Sequence, residues 1–266
     1  MVATLLHETP LRGGDVTDGV VRVGDTVRRP KSPSTPAVHA LLRHLEASGF
    51  AGAPRVVGFD EFDREVITYI PGSCGLTAHN VAEDGLRSLA ELLREFHDAT
   101  EGFSAQGWVE GSNDDRAPEV IGHCDLRPEN TIFHRGRAVA LIDFDQARPT
   151  TRLFDVVTTL RHWAPIADPL DRHPLLRGAD GDADSGADVG ARLRLFCDAY
   201  GLPPRDRRRL LDLARLRFHR SYDVMRKRAD QGGAWAAMWA GGAGERIRRA
   251  AAWLDVHEDE LHAHLV

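Results

Sequence analysis

Apolar positions in the first seventy residues fall in short runs broken by Gly, Asp and Pro, and the spacing changes only once. Val20, Val21 and Val23 precede Gly24-Asp25, and Thr26-Val27 follow, which predicts a hairpin turning on the Gly-Asp pair. Thr35-Pro36 then reads as an N-cap followed by a first-turn Pro, and Val38, Leu41, Leu42 and Leu45 recur at helical spacing until Gly49. Two further strands are predicted at Arg55 to Gly58 and Glu65 to Ile70, separated by the acidic turn Asp60 to Asp63 and closed by Pro71-Gly72. A second helix is expected from Asn80, with Glu83 completing a capping box and Leu86, Leu89, Leu93 and Phe96 as its apolar stripe. Three short β-like runs follow at Glu119 to Gly122, Thr131 to His134 and Ala138 to Phe144, with Arg135-Gly136 turning between the last two. Beyond Asp155 the pattern is helical, with stripes through Leu210, Leu213, Ala214 and Phe218 and through Glu245 to Leu254. The small, acidic stretch Gly178 to Asp188 reads as a solvated loop.

Composition narrows the class. The 266 residues suffice for one large or two small domains, and 42% hydrophobic against 28% charged residues is the balance of a globular protein. A formal charge of −6 argues against a nucleic-acid partner, which needs a basic field. The charge is uneven: residues 1–150 carry −8 and residues 151–266 carry +2. Cys74, Cys124 and Cys197 are odd in number with no paired spacing, which predicts free thiols in a reducing cytoplasm. No run of 18 apolar residues is present and the first residues lack a leader pattern, so no membrane association is expected. Lys31 and Lys227 are the only lysines.

One stretch carries chemistry. His123-Cys124-Asp125-Leu126-Arg127-Pro128-Glu129-Asn130 is followed, after an apolar strand, by Ile142-Asp143-Phe144-Asp145. Phosphoryl transfer from a nucleoside triphosphate depends mostly on positioning and charge neutralisation, with a carboxylate at the acceptor hydroxyl and hard oxygen ligands for Mg²⁺ on the phosphates. An Asp and an Asn five residues apart supply both functions from one loop, and an Asp beyond the next strand supplies a further metal ligand.

These residues resemble the HxDxxxxN loop and strand-terminal Asp of the kinase fold, in the form found in the aminoglycoside phosphotransferase and choline-kinase-like family of small-molecule kinases. The Ile-Asp-Phe-Asp ending, the absence of an Ala-Pro-Glu segment and the helical tail favour that family over protein kinases. The resemblance implies an α+β, bilobal protein-kinase-like fold, with a small β-rich N-terminal lobe and hinge (residues 1–72) and a larger, mostly helical C-terminal lobe (residues 73–266). It further implies ATP or GTP as donor, Mg²⁺ as cofactor and a hydroxylated small molecule, an aminoglycoside-like antibiotic or a metabolite, as acceptor. Asp125 is implied as catalytic base and Arg127 as the group neutralising the migrating phosphoryl. Asn130, Asp143 and Asp145 are the implied metal ligands, while His123 and Asp155 shape the loop. In the small lobe, Leu11-Arg12-Gly13-Gly14 resembles a shortened phosphate-covering loop, placing Gly13 and Gly14 at the nucleotide. Val66 to Gly72 resembles the hinge strand, with backbone groups of Thr68 and Ile70 meeting the base.

Two positions depart from the family pattern. The strand Lys that clamps the α and β phosphates is replaced by Arg29, with Lys31 two residues on as the other candidate. The Glu expected on the following helix falls at Val38 or His39, so the usual ion pair is expected to be missing. The competing reading is a catalytically weak, nucleotide- or ligand-binding relative; a third is a metal-dependent phosphohydrolase using His123, Asp125, Asp143 and Asp145. In the tail, Trp235 and Trp239 share a helix face, and Glu258, Asp259 and Glu260 form an acidic turn, solvated or facing ammonium groups. A monomer or weak homodimer is expected.

Overall fold

The computed structural model describes residues 7–11, 19–176 and 187–266. Gly13 and Gly14 lie outside the described residues, as does all but the end of the acidic stretch 178–188.

The N-terminal lobe is one antiparallel sheet: β1 (Thr9–Pro10), β2 (Val21–Val23), β3 (Thr26–Arg29), β4 (Val56–Phe59) and β5 (Glu65–Thr68), in the order β1-β2-β3-β5-β4. The hairpin forms on Gly24-Asp25, with Gly24 at φ +58° and Val23 paired to Thr26. Between β3 and β4 lies α1 (Thr35–Ala47), which buries Val38, Leu41, Leu42 and Leu45 as its spacing requires. Ser34, not Thr35, sits at the cap position; the Thr35 hydroxyl instead accepts from the Ser32 N–H at 2.9 Å. The turn before β5 is held by Asp60 Oδ1, which accepts from the N–H groups of Phe62 (3.0 Å) and Arg64 (2.9 Å).

Past the sheet, α2 (Ala78–Val81) is capped by Thr77, and α3 (Glu83–Thr100) starts after Ala82. The expected Asn80 to Glu83 capping box does not form. Asn80 lies inside α2, where its N–H meets the Thr77 hydroxyl and its side chain donates to the Gly75 carbonyl at 3.0 Å. Leu86, Leu89, Leu93 and Phe96 are fully buried on one face of α3, against the sheet-derived core and the helices beyond. Two small ribbons follow: β6 (Val120–Gly122), β7 (Thr131–His134), β8 (Arg137–Leu141) and β9 (Arg148–Thr150), pairing β6 with β9 and β7 with β8. The remainder is helical: α4 (Arg152–Trp163), α5 (Ala187–Tyr200), α6 (Pro204–Arg207), α7 (Leu210–Ala229), α8 (Gly233–Ala240) and α9 (Ala243–Leu265). Among these α5 packs on α3 and α9, and α7 on α4 and α9. The architecture is the bilobal, kinase-like α+β fold. Among the described residues, no helix is long and apolar enough to cross a membrane.

Candidate active site

The loop between β6 and β7 owes its shape to a buried carboxylate. Asp155, in the first turn of α4, accepts from the N–H of His123 (2.8 Å, Oδ2) and from the N–H of Cys124 (2.8 Å, Oδ1). Cys124 is thereby held at φ +61°, an uncommon conformation for a residue with a Cβ. Behind it, Asp155 Oδ2 meets His97 Nε2 at 3.0 Å, and His97 Nδ1 meets the Tyr200 hydroxyl at 2.7 Å, all three side chains buried. Burial raises the Asp155 pKa, but His97, the neighbouring His123 ring and the Cys124 N–H outweigh it, so the carboxyl lies below its ordinary value. Gly122 stands where a Cβ would approach Thr150 Cγ2 to 2.5 Å and Asp155 Cγ to 2.8 Å. His123 is buried, with Nε2 2.9 Å from the Ile142 carbonyl, and so orients the loop.

That bracing sets the site residues. Asn130 donates from Nδ2 to the Asp125 carbonyl (2.8 Å) and to Asp125 Oδ2 (3.3 Å), and its own carbonyl accepts from the Ile142 N–H at 2.9 Å. The two ends of the motif are thus tied to each other and to the strand leading to Asp143. Asp143 sits at φ +63°, before the short 3₁₀ turn Phe144–Gln146 that carries Asp145. Arg127 Nε lies 3.4 Å from Asp125 Oδ2. Burial lifts the Asp125 carboxyl above its ordinary value, with Arg127 and His123 pulling the other way. A carboxylate so destabilised is a better proton acceptor.

Arg29 completes the group. Its Nη1 donates to Asp143 Oδ1 at 3.0 Å and its Nη2 to Asp145 Oδ1 at 2.5 Å. Its Nε donates to Glu65 Oε1, also at 2.5 Å. Glu65 lies opposite Arg29 in the β3–β5 register, and its other oxygen meets His39 Nε2 of α1 at 2.8 Å. The expected loss of the ion pair is therefore corrected: the pair exists, but its anion comes from a strand, and the helix contributes a histidine that anchors the anion. Burial works against the guanidinium charge, yet Asp145, Glu65 and Asp143 together hold it more firmly than usual. Burial and the neighbouring Asp143 push Asp145 upward, against the pull of Arg29. Lys31, the other candidate, pairs with Asp63 and lies over the Phe59 ring, away from this cluster.

The remaining expected groups are placed as follows. The Thr68 N–H donates to the Arg55 carbonyl at 2.9 Å and is not free to meet a base, whereas the Ile70 N–H has no backbone partner among the described residues. Glu258 pairs with Arg215 at 2.9 Å, so it does not wait for an ammonium group. Trp239 packs edge-on against Tyr222, and Trp235 lies beneath the Arg228 guanidinium. The three cysteines are free, and Cys124 and Cys197 are buried.

A β-sheet lobe joined to a largely helical one, with Asp, Asn and Asp converging beside a strand cation, defines a protein of the kinase-like class. The chain belongs to the phosphotransferase enzyme family, whose model matches residues 9–116 and 104–196. It is 33% identical over 273 residues to the trifolitoxin immunity protein of Rhizobium leguminosarum bv. trifolii, covering 97% of this chain and 98% of that one. Its fold is similar to a choline/ethanolamine kinase family protein from Mesorhizobium loti, with a TM-score of 0.61 and 16% identity over 99% of this chain and 94% of that one. It is also similar to an ADP-bound aminoglycoside phosphotransferase, with a TM-score of 0.53 and 13% identity over 93% and 94% of the two chains.

Proposed function

We propose that the protein transfers the γ-phosphoryl group of ATP or GTP to a hydroxyl of a small molecule. The observation that carries this reading is the tie between Asp125 and Asn130, set beside Asp143 and Asp145, in a loop braced by Asp155. In the reaction, the acceptor oxygen bonds to the γ-phosphorus as the bond from that phosphorus to the bridging oxygen breaks. The nucleoside diphosphate leaves with the electron pair, and the hydroxyl proton passes to the Asp125 carboxylate. Arg127 offsets charge on the migrating group, and Arg29 meets the phosphates from the sheet side.

The oxygen donors of Asn130, Asp143 and Asp145 suit a hard cation, and the Asn130 side-chain carbonyl has no partner among the described residues. Among the described residues, no three His, Cys, Asp or Glu side chains are grouped to hold a metal unaided, so nucleotide oxygens would complete the coordination. Mg²⁺ supplies neutralisation of the phosphate charge when bound. The similarity to an immunity protein supports an antimicrobial compound as one acceptor class.

A second reading rests on one specific observation: Arg29 engages an oxygen of both Asp143 and Asp145, as expected of a relative that binds without turnover. Calorimetric titration with ATP and with GTP, each with and without Mg²⁺, decides the matter when paired with single-turnover assay of bound nucleotide. Mg²⁺-dependent binding with phosphoryl release or transfer supports the phosphotransferase. Binding that ignores Mg²⁺, with no turnover, supports the second reading.

A further inference from the structure

The catalytic loop forms one wall of a cavity of about 340 Å³, through Arg127, Pro128 and Glu129. The opposite walls come from α4, the segment 165–176, α7 and α9. Four arginines line it: Arg127 from the loop, Arg161 from α4, Arg172 from the connecting segment and Arg246 from α9. Among the described lining residues the acids are Glu129, which is exposed, and Asp171, already held at both oxygens by Arg249 (2.9 and 2.7 Å), while Arg127 itself lies 3.4 Å from Asp125 Oδ2. The Arg161 side chain makes no hydrogen bond or ion pair with any described residue, and the Arg246 side chain donates to the neutral Gly241 carbonyl at 2.7 Å. Arg172 donates to the Ala167 carbonyl at 2.8 Å and lies over the Trp253 ring.

Three guanidinium groups around a partly enclosed space, with the Asp125 carboxylate opposing them, still favour an added anion. The titration behaviour agrees: Arg161 is lowered by burial and by Arg127 and Arg246, with Asp125 alone opposing. His162 is pushed well below its ordinary range by burial and Arg161, so it stays neutral. Behind the wall, Arg217 is buried, donates to the Thr158 hydroxyl at 3.0 Å and is lowered by burial to about 9. Apart from His173, the remaining lining, including Leu76, Ile166, Phe218 and Ile247, is apolar.

We infer that the acceptor of this protein carries an oxyanion, a carboxylate or a phosphate, which the Arg161 and Arg246 guanidinium groups bind while its hydroxyl faces Asp125. This inference rests on the phosphotransferase reading above, and it excludes a polycation as the preferred acceptor. Like charges brought beside Arg161 and Arg246 are repelled, whereas an oxyanion gains bidentate, charge-assisted hydrogen bonds.

The test uses the full chain with Mg²⁺ and a non-hydrolysable ATP analogue, titrated calorimetrically with four probes of one ring: glucose, glucosamine, glucuronate and glucose 6-phosphate. Glucuronate or glucose 6-phosphate is expected to bind about tenfold or more tightly than glucose, with glucosamine weakest, and the tighter of the two names the oxyanion. Arg161→Gln is expected to remove about tenfold of that affinity, and rising salt to weaken it. Arg246→Gln, at an exposed position, repeats the measurement in a variant that keeps the buried packing intact. Equal binding of glucosamine and the anions, anion affinity unchanged in both variants, or no binding of any probe to the nucleotide-loaded protein overturns the inference. Failure of the wild type to bind nucleotide overturns the phosphotransferase reading instead, and is read in a separate titration.

Discussion

Arg29 and Glu65 face each other directly across β3 and β5, with Arg29 Nε 2.5 Å from Glu65 Oε1. The same guanidinium reaches Asp143 and Asp145, so one side chain ties the small sheet to the acidic turn of the larger lobe. Glu65 is in turn fixed by His39, which makes α1 a support for the anion rather than its source. Both partners stand on rigid strands, and the planar fork of an arginine can satisfy three carboxylates where an ammonium could not do so in one plane.

Glu65→Ala is expected to cost about 3–5 kcal/mol of stability, because it leaves the buried Arg29 and His39 without their shared partner. Chemical denaturation of the two proteins checks this, and a cost below 1 kcal/mol, on the order of a surface ion pair, would show that the network contributes little. Arg29→Lys tests the geometry at the same point. A lysine cannot span Glu65, Asp143 and Asp145 together, so stability should fall even though charge is kept.

Asp125→Asn should lower turnover by about 10²–10⁴-fold while nucleotide affinity is nearly kept, since in the proposed reaction the group acts on the acceptor. It should also stabilise the fold at neutral pH. The folded-state pKa of Asp125 is raised by burial, so the ionised carboxylate costs stability as pH rises through the unfolded and then the folded value. The gain from Asn should therefore vanish below the ordinary carboxylate range, where Asp125 is protonated in both states. Thermal midpoints of the two proteins against pH measure it, and a gain that persists at low pH would assign the effect to packing.

Asp155 has the opposite sign. Its folded pKa is lowered, because His97, the neighbouring His123 ring and the Cys124 N–H outweigh burial, so its contribution is present above the ordinary carboxylate value and lost as pH falls through the folded one. Asp155→Asn turns an amide NH₂ toward these donors and is expected to cost about 1–3 kcal/mol. Gly122→Ala attacks the same brace by contact. Its Cβ would stand 2.8 Å from Asp155 Cγ, at a cost of about 1–3 kcal/mol and with loss of loop geometry. Denaturation midpoints and turnover measured together separate the two effects, since a displaced loop lowers turnover in the surviving folded protein.

What the sequence made legible was local. Asp125 and Asn130 lie five residues apart in one loop, and Asp143 follows a single apolar strand, so their meeting needed no knowledge of the tertiary structure. Glu65 was missed because its tie to Arg29 spans 36 residues and depends on strand register. The available signal was a lone acid opening the apolar run Glu65 to Ile70, whose core side would otherwise bury an unpaired charge. The strand β9 was missed because Arg148-Pro149-Thr150 carries a proline, which a two-stranded ribbon tolerates at its edge. The capping errors at Thr35 and Asn80 are shifts of a few residues, where neighbouring Ser34 and Thr77 compete for the same role. The arginines of the cavity come from four separate segments, and counting charge by halves of the chain could not gather them.

Asp143→Asn gives the cleanest separation of metal binding from the sheet clamp. The substitution keeps shape and one acceptor oxygen, so the 3.0 Å contact to Arg29 can persist through the amide oxygen, while the negative charge that attracts a hard cation is gone. Nucleotide affinity measured without Mg²⁺ should rise or stay level, because a carboxylate near the phosphates is removed. Affinity measured with Mg²⁺ should fall, so the ratio of the two, large in the wild type, should approach one. If instead the ratio is unchanged, the ion is held elsewhere and Asp143 serves only as a partner of Arg29, the arrangement expected of the relative that binds without turnover.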